Sequence, residues 1–232
     1  MDDTPPPSPL SLIEAVRRLA VMGPAPDQPT DPFQMILWEN IGYLIDDERR
    51  RRLFDRFATE IGLSAAAILG ASDEALFSIA QSGGMRPDVR VERWRGIAGI
   101  VQADCGGDLA GALRALPLAK ARALLKRFPA IGDPGADKIL LFSGLASTPS
   151  LESNGLRVMA RTGLFAEQAD YTRSYRAAIA AMTQQGRADR AWLVEAYLRL
   201  RDLGKSLCRR GEPLCPACPL ADGCPKIRPA NL

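Results

Sequence analysis

Four cysteines fall within the last thirty residues of this 232-residue chain, as Cys208-x6-Cys215-x2-Cys218-x5-Cys224. Thiolates this close repel one another and oxidise readily, so the spacing implies a metal centre. Four sulfur ligands suit tetrahedral zinc or an iron–sulfur cluster. A generic zinc ribbon pairs two CxxC knuckles, whereas only Cys215 and Cys218 form one here. Pro213, Pro216 and Pro219 stiffen the wrap around the last three cysteines.

The remaining composition narrows the chemistry. There is no histidine. This excludes Ser-His triads, histidine zinc sites and the histidine-containing deaminase motif, and leaves carboxylates, lysine or the metal centre to carry any catalysis. No apolar run reaches the eighteen residues of a membrane span. The start, Met1-Asp-Asp-Thr-Pro-Pro-Pro, is acidic and proline-rich, unlike a secretory signal. Clustered cysteines without such a signal predict a reducing, cytoplasmic setting and metal ligation in place of disulfides. The fifth cysteine, Cys105, stands alone at a predicted helix end.

A net charge of +3 is modest, but its distribution is uneven. Residues 114–138 carry six bases against Asp133 and Asp137, and residues 199–228 carry seven bases against three acids. Either stretch alone could be a solvated helix face. Together they bracket the two motifs of the chain.

The apolar periodicity is helical nearly throughout, and no alternating strand is found, so the fold class is all-α. Helices are predicted over 11–21, from an Asp31-Pro32 start through Ile45, and over 48–61, 64–69, 73–81, 88–104, 108–115, 118–127, 134–144, 155–162, 168–183 and 189–205. Near the middle lies Leu116–Gly144, LPLAKARALLKRFPAIGDPGADKILLFSG. It reads as helix, tight turn Pro129-Ala130-Ile131-Gly132, then helix, with Asp133 as N-cap and Pro134 in the first turn. Such a turn presents backbone N–H groups and a helix N-terminus, a seat for phosphate.

The cysteine spacing, the preceding Gly204 and the run Cys215-Pro-Ala-Cys218-Pro-Leu220 resemble the [4Fe-4S] loop of endonuclease III-like DNA glycosylases. The hairpin is similar to the helix-hairpin-helix of the same superfamily, usually Leu-Pro-Gly-Val-Gly; here Phe128, Pro129, Ala130, Ile131 and Gly132 stand in those places. The resemblance covers about residues 30 to 226. It implies two lobes: a bundle over 31–150 ending in the hairpin, and a cluster lobe over 151–232 with which residues 1–30 pack. It also implies duplex DNA containing a damaged, mismatched or abasic site as partner, with a nucleotide extruded between the lobes, and a monomeric, nucleoid-associated protein.

Site residues follow from the same resemblance. Glu152, in Leu151-Glu-Ser-Asn-Gly-Leu-Arg157-Val158, falls at the family's catalytic aspartate, and Asn154 at its histidine. Pro134 falls at the Schiff-base lysine of bifunctional members, so a lyase step is expected to be weak or absent. Lys138, one turn later on the same face, is a weaker catalytic candidate, with phosphate contact or solvent the reading preferred to it. Glu39 falls where the adenine-excising branch carries an acid, and reads equally as a half-buried glutamate able to protonate a leaving base or as a structural hydrogen-bond partner near Trp38 and Tyr43. Its placement rests on Leu53-Phe-Asp-Arg-Phe57, similar to the family's Tyr-Phe-Glu-Arg-Phe. Trp38 and Tyr43, with Asn154, are expected at the base pocket; Trp38, Tyr43 and Trp94 are candidates for stacking, against the commoner role of core aromatics. DNA contacts are expected from Ala130, Ile131, Gly132, Gly135, Lys120, Arg209 and Arg210, and the cluster ligands are Cys208, Cys215, Cys218 and Cys224. The functional expectation is a monofunctional base-excision glycosylase using Glu152. The alternatives are a DNA- or lesion-binding iron–sulfur protein with impaired catalysis, and a redox or structural iron–sulfur protein without DNA.

Overall fold

The computed structural model describes residues 10–24 and 27–230; the start of the chain, residues 1–9, lies outside the described residues. All the described regular structure is helical, in the order α1 (Leu12–Arg18), α2 (Pro32–Asn40), α3 (Asp47–Glu60), α4 (Ala65–Gly70), α5 (Asp73–Ala80), α6 (Pro87–Cys105), α7 (Leu109–Ala115), α8 (Leu118–Leu125), α9 (Asp133–Phe142), α10 (Ser153–Arg161), α11 (Tyr171–Gln185) and α12 (Arg190–Ser206). Short 3-10 turns join some of them. No helix among the described residues is long and apolar enough to cross a membrane.

Most starts are set by a short polar side chain that accepts a hydrogen bond from the third residue on, satisfying an N–H the helix cannot. Ser11, Asp31, Asp46, Ser64, Ser72, Asp108, Asp170 and Asp189 all act this way. The α2 helix stops at Asn40 and does not run on to Ile45. A β-carbon on Gly42 would overlap the Ile45 side chain, and Leu44 takes a left-handed φ of 54°. The chain turns there so that Asp46 can cap α3.

The chain divides into two compact units, Asp27–Ala146 and the remainder. The Asp27–Ala146 unit contains α2 to α9. Its centre is Trp94, which meets Phe57 edge-on at 4.8 Å and donates its indole N–H to the Asn40 carbonyl at 3.1 Å. Beside it the buried Arg90 donates to the carbonyls of Ala80, Gly83 and Met85. That guanidinium supplies the hydrogen bonds a tight loop cannot make for itself.

The second unit contains α1, α10, α11, α12 and the cysteine loop. The helices α10 and α12 pack backbone against backbone. A β-carbon on Gly204 would come within 2.6 Å of the Asn154 carbonyl oxygen, and one on Gly155 within 3.4 Å of Leu200 Cβ. Two glycines at the crossing hold the start of α10 close to the end of α12, where the cysteines begin.

Candidate functional site

The hairpin joins α8 to α9. Ile131 N–H donates to the Phe128 carbonyl at 3.2 Å, and Ala130 has φ 63°. Proline followed by a positive φ is the pattern of a type II turn, whose third position favours glycine. Alanine there is strained by about 1–2 kcal/mol. Phe128 and Ile131 are buried beneath the turn, while Ala130 and Gly132 are exposed. Gly132, not Asp133, is the N-cap of α9, and no side chain caps it. The N–H groups of the first turn are therefore presented from an exposed glycine, less the one that Pro134 lacks. Gly135 is half-buried and Lys120 exposed.

The basic stretch around the hairpin is largely neutralised within the protein. Arg122 grips Asp137 at 2.6 and 3.0 Å and reaches Asp133 at 3.3 Å. Lys126 pairs with Asp133 at 2.6 Å, and Arg127 with Asp104 at 2.9 Å. Asp133 thus anchors two cations instead of capping its helix, so the positive face expected over 114–138 is much reduced.

Lys138 departs from expectation in a different way. It is not in solvent: its side chain is 7% exposed and donates to Glu39 Oε1 at 2.6 Å, Glu39 being 33% exposed. The next residue, Asn40, donates from Nδ2 to the Pro129 carbonyl at 3.0 Å. So α2 is tied to the hairpin through Asn40 and to α9 through Glu39. Trp38 is no open stacking platform. It is 6% exposed, edge-on to Phe54 at 5.3 Å and covered by the Arg51 guanidinium at 4.8 Å. Trp94 is core as well. Tyr43 and Leu44 are exposed, at 57% and 79%.

Glu152 is the N-cap of α10. One oxygen accepts from Gly155 N–H at 2.8 Å, the other from Asn154 Nδ2 at 2.7 Å. A helix N-terminus favours a negative charge at this point. Asn154 Oδ1 in turn accepts from Arg157 Nη2 at 2.9 Å, and Arg157 also donates to the carbonyls of Gly204 and Cys208 at 2.8 and 3.1 Å. A continuous chain of hydrogen bonds thus runs from the carboxylate of Glu152 to the first cysteine. Burial and the nearby Glu152 charge push the Tyr171 phenol up.

The four C-terminal cysteines line one cavity of about 500 Å³. Arg161 fastens both ends of the loop. Its guanidinium donates to the carbonyls of Cys208, Arg209 and Arg210 and lies 3.5 Å from Cys208 Sγ, while its own carbonyl accepts from Ile227 N–H at 3.1 Å. The Lys226 N–H points at Cys224 Sγ at 3.4 Å. Arg209 and Arg210 are exposed, with their carbonyls bonded to Arg161.

All five cysteines are free thiols, and no group of three or more side chains among the described residues is arranged to hold a metal ion. The four C-terminal cysteines nevertheless line one cavity, and four sulfur donors are a set that suits an iron–sulfur cluster or zinc. Burial pushes the Cys218 and Cys224 thiols up, and the neighbouring cysteines push the same way. Four thiolates together need a compensating cationic core. Cys105, at the end of α6, is half-buried and its thiol is pushed up mainly by burial.

No protein-family model matches the sequence, and no curated protein matches it. Solved structures do. The chain is similar to a trapped endonuclease III–DNA covalent intermediate, with a TM-score of 0.71 and 15% identity over 93% of this chain and 94% of that one. It is similar to a thermostable thymine-DNA glycosylase, with a TM-score of 0.70 and 15% identity over 91% and 94%. It is also similar to the Methanocaldococcus jannaschii 8-oxoguanine glycosylase/lyase in complex with DNA, with a TM-score of 0.55 and 16% identity over 88% and 91%. The chain has the all-α fold of these endonuclease III and DNA glycosylase structures.

Proposed function

We propose that this chain is a monofunctional DNA N-glycosylase that binds duplex DNA at a damaged or mismatched base, takes the nucleotide out of the stack and hydrolyses its glycosidic bond. The observation that carries this reading is Glu152. It is a half-buried carboxylate oriented by two hydrogen bonds at a helix N-terminus, on a fold whose solved examples include glycosylases.

Breaking the bond leaves positive charge on the sugar. A fixed carboxylate stabilises that charge and accepts the proton of the attacking water. Pro134 has no amine, so no Schiff base forms and the strand is left intact. The hairpin N–H groups at Gly132 and Gly135, with Lys120, Arg209 and Arg210, would hold phosphates. Cys208, Cys215, Cys218 and Cys224 would hold a [4Fe-4S] cluster. When bound, that group supplies a covalent pin for the loop and a redox-active centre.

A second reading is a lesion-binding protein with little or no cleavage. What favours it is that both oxygens of Glu152 already accept hydrogen bonds. One experiment separates the two. Duplexes each carrying one modified or mismatched base are assayed for binding and for alkali-revealed abasic sites. The glycosylase reading predicts at least one duplex that is both bound and cleaved. Selective binding without any abasic product supports the second reading.

A further inference from the structure

Lys126 ends α8 and Asp133 begins α9, so their ion pair at 2.6 Å joins the two sides of the hairpin across its turn. Both residues belong to the Asp27–Ala146 unit. Arg122 Nη1 reaches the same Asp133 oxygen at 3.3 Å, so one carboxylate oxygen receives two cations. Two charged donors converging on one oxygen are the arrangement that also binds a phosphate. Here the occupant is the chain's own carboxylate, next to the exposed Gly132.

The two cations are not held alike. Arg122 keeps its fork on Asp137 at 2.6 and 3.0 Å, and the Asp137 side chain is only 9% exposed. Lys126 is 45% exposed and makes one ion pair, to Asp133. An ammonium on a flexible stem can turn from one anion to another. When it turns, Asp133 still has Arg122 and the start of α9 to stabilise its charge.

We infer that Lys126 is the cation of a phosphodiester site at the hairpin, filled in the free protein by the Asp133 carboxylate: DNA binds there by taking Lys126 over from Asp133. The inference rests on the DNA-binding part of the reading above, not on cleavage, and assigns that binding a residue and an exchange.

The exchange has two consequences. An arriving phosphate gains Lys126 but meets the charge of Asp133, so the hairpin grips DNA less tightly than an unpaired lysine would. Salt dependence falls as well. A lysine that neutralises a phosphate releases a counterion from DNA. Asp133, left with one cation fewer, takes up a cation in return, and the two nearly cancel. With Asp133 removed, the release at Lys126 counts in full.

The test titrates full-length wild type, Asp133→Asn, Lys126→Met and the double variant against one labelled duplex carrying a tetrahydrofuran abasic analogue. Binding is read by fluorescence anisotropy from about 0.05 to 0.3 M salt. Asp133→Asn should tighten binding by about tenfold at about 0.1 M salt and steepen the slope of log affinity against log salt by about 1. In the Lys126→Met background the same change should tighten binding by no more than about twofold and leave the slope as it was, because the lysine it would release is gone.

Equal gains with and without Lys126 would be a distant charge effect and would overturn the inference. So would an Asp133→Asn variant that binds with wild-type affinity and slope. Melting curves check that each variant is folded, and Asp133→Ser, which suits a helix start, replaces Asp133→Asn if that variant does not fold. No binding by the wild type at the lowest salt overturns the DNA reading itself, and this inference with it.

Discussion

Gly204 of α12 lies against Asn154 of α10 so closely that a β-carbon would sit 2.6 Å from the Asn154 carbonyl oxygen and 2.7 Å from its Cβ. Mid-helix, Gly→Ala ordinarily stabilises by about 1 kcal/mol. Here the added methyl must push two backbones apart, and overpacking of this kind costs about 1–3 kcal/mol. Gly204→Ala is expected to lower stability in denaturant titrations despite its better helix propensity. It should also loosen the Glu152 cap. An unchanged or raised midpoint would show that the crossing is less tight than the structure has it.

Ala130 offers a change of the opposite sign. Its φ of 63° suits glycine. Ala130→Gly relieves about 1–2 kcal/mol of strain and loses about 0.4–1 kcal/mol through the freer unfolded chain. A net gain of about 0–1.6 kcal/mol is expected from those two terms. The measurement is the melting temperature, with DNA affinity taken alongside. The closer backbone approach should tighten binding.

Arg209 and Arg210 have their backbone carbonyls tied to Arg161 and lie on exposed chain. Replacing both with alanine should weaken DNA binding on every sequence tested. It should also reduce the slope of log affinity against log salt by about 2, one unit per phosphate contact. A slope unchanged from wild type would place the phosphate contacts elsewhere.

The metal centre can be checked without activity. Gently purified protein should contain iron and inorganic sulfide. Removing them by chelation should raise amide exchange over 208–228 and the end of α12 and leave α2 to α9 little changed, because local openings follow local support. Arg161→Ala should speed the loss of iron, since the loop would lose its fastening at both ends. Colourless, zinc-loaded protein of undiminished stability would refute the cluster.

Much of this was legible in the sequence because the signals were local. Caps such as Asp31-Pro32 announce helix starts, and the cysteine spacing announces the loop. What the sequence did not show are contacts made across long separations. Nothing near Lys138 says that it is buried against Glu39, and nothing near Arg161 says that it grips 208–210. The three arginine and lysine side chains around Asp104, Asp133 and Asp137 looked like a positive face because their acids come from other turns and helices. Two misreadings had local remedies. Gly42 followed by Asp46 marks the end of α2 despite the apolar Tyr43-Leu44-Ile45 run. The α11 helix starts at Tyr171 and not at 168, because Asp170 is its cap.

The most direct measurement compares wild type with Glu152→Gln on the duplex that wild type cleaves best. Excision is followed under single-turnover conditions and binding in parallel. Glutamine keeps the size and one hydrogen-bond acceptor but not the charge, so excision should fall by at least about a hundredfold while affinity stays within a few fold. Excision that persists at the wild-type rate would contradict the role given to Glu152.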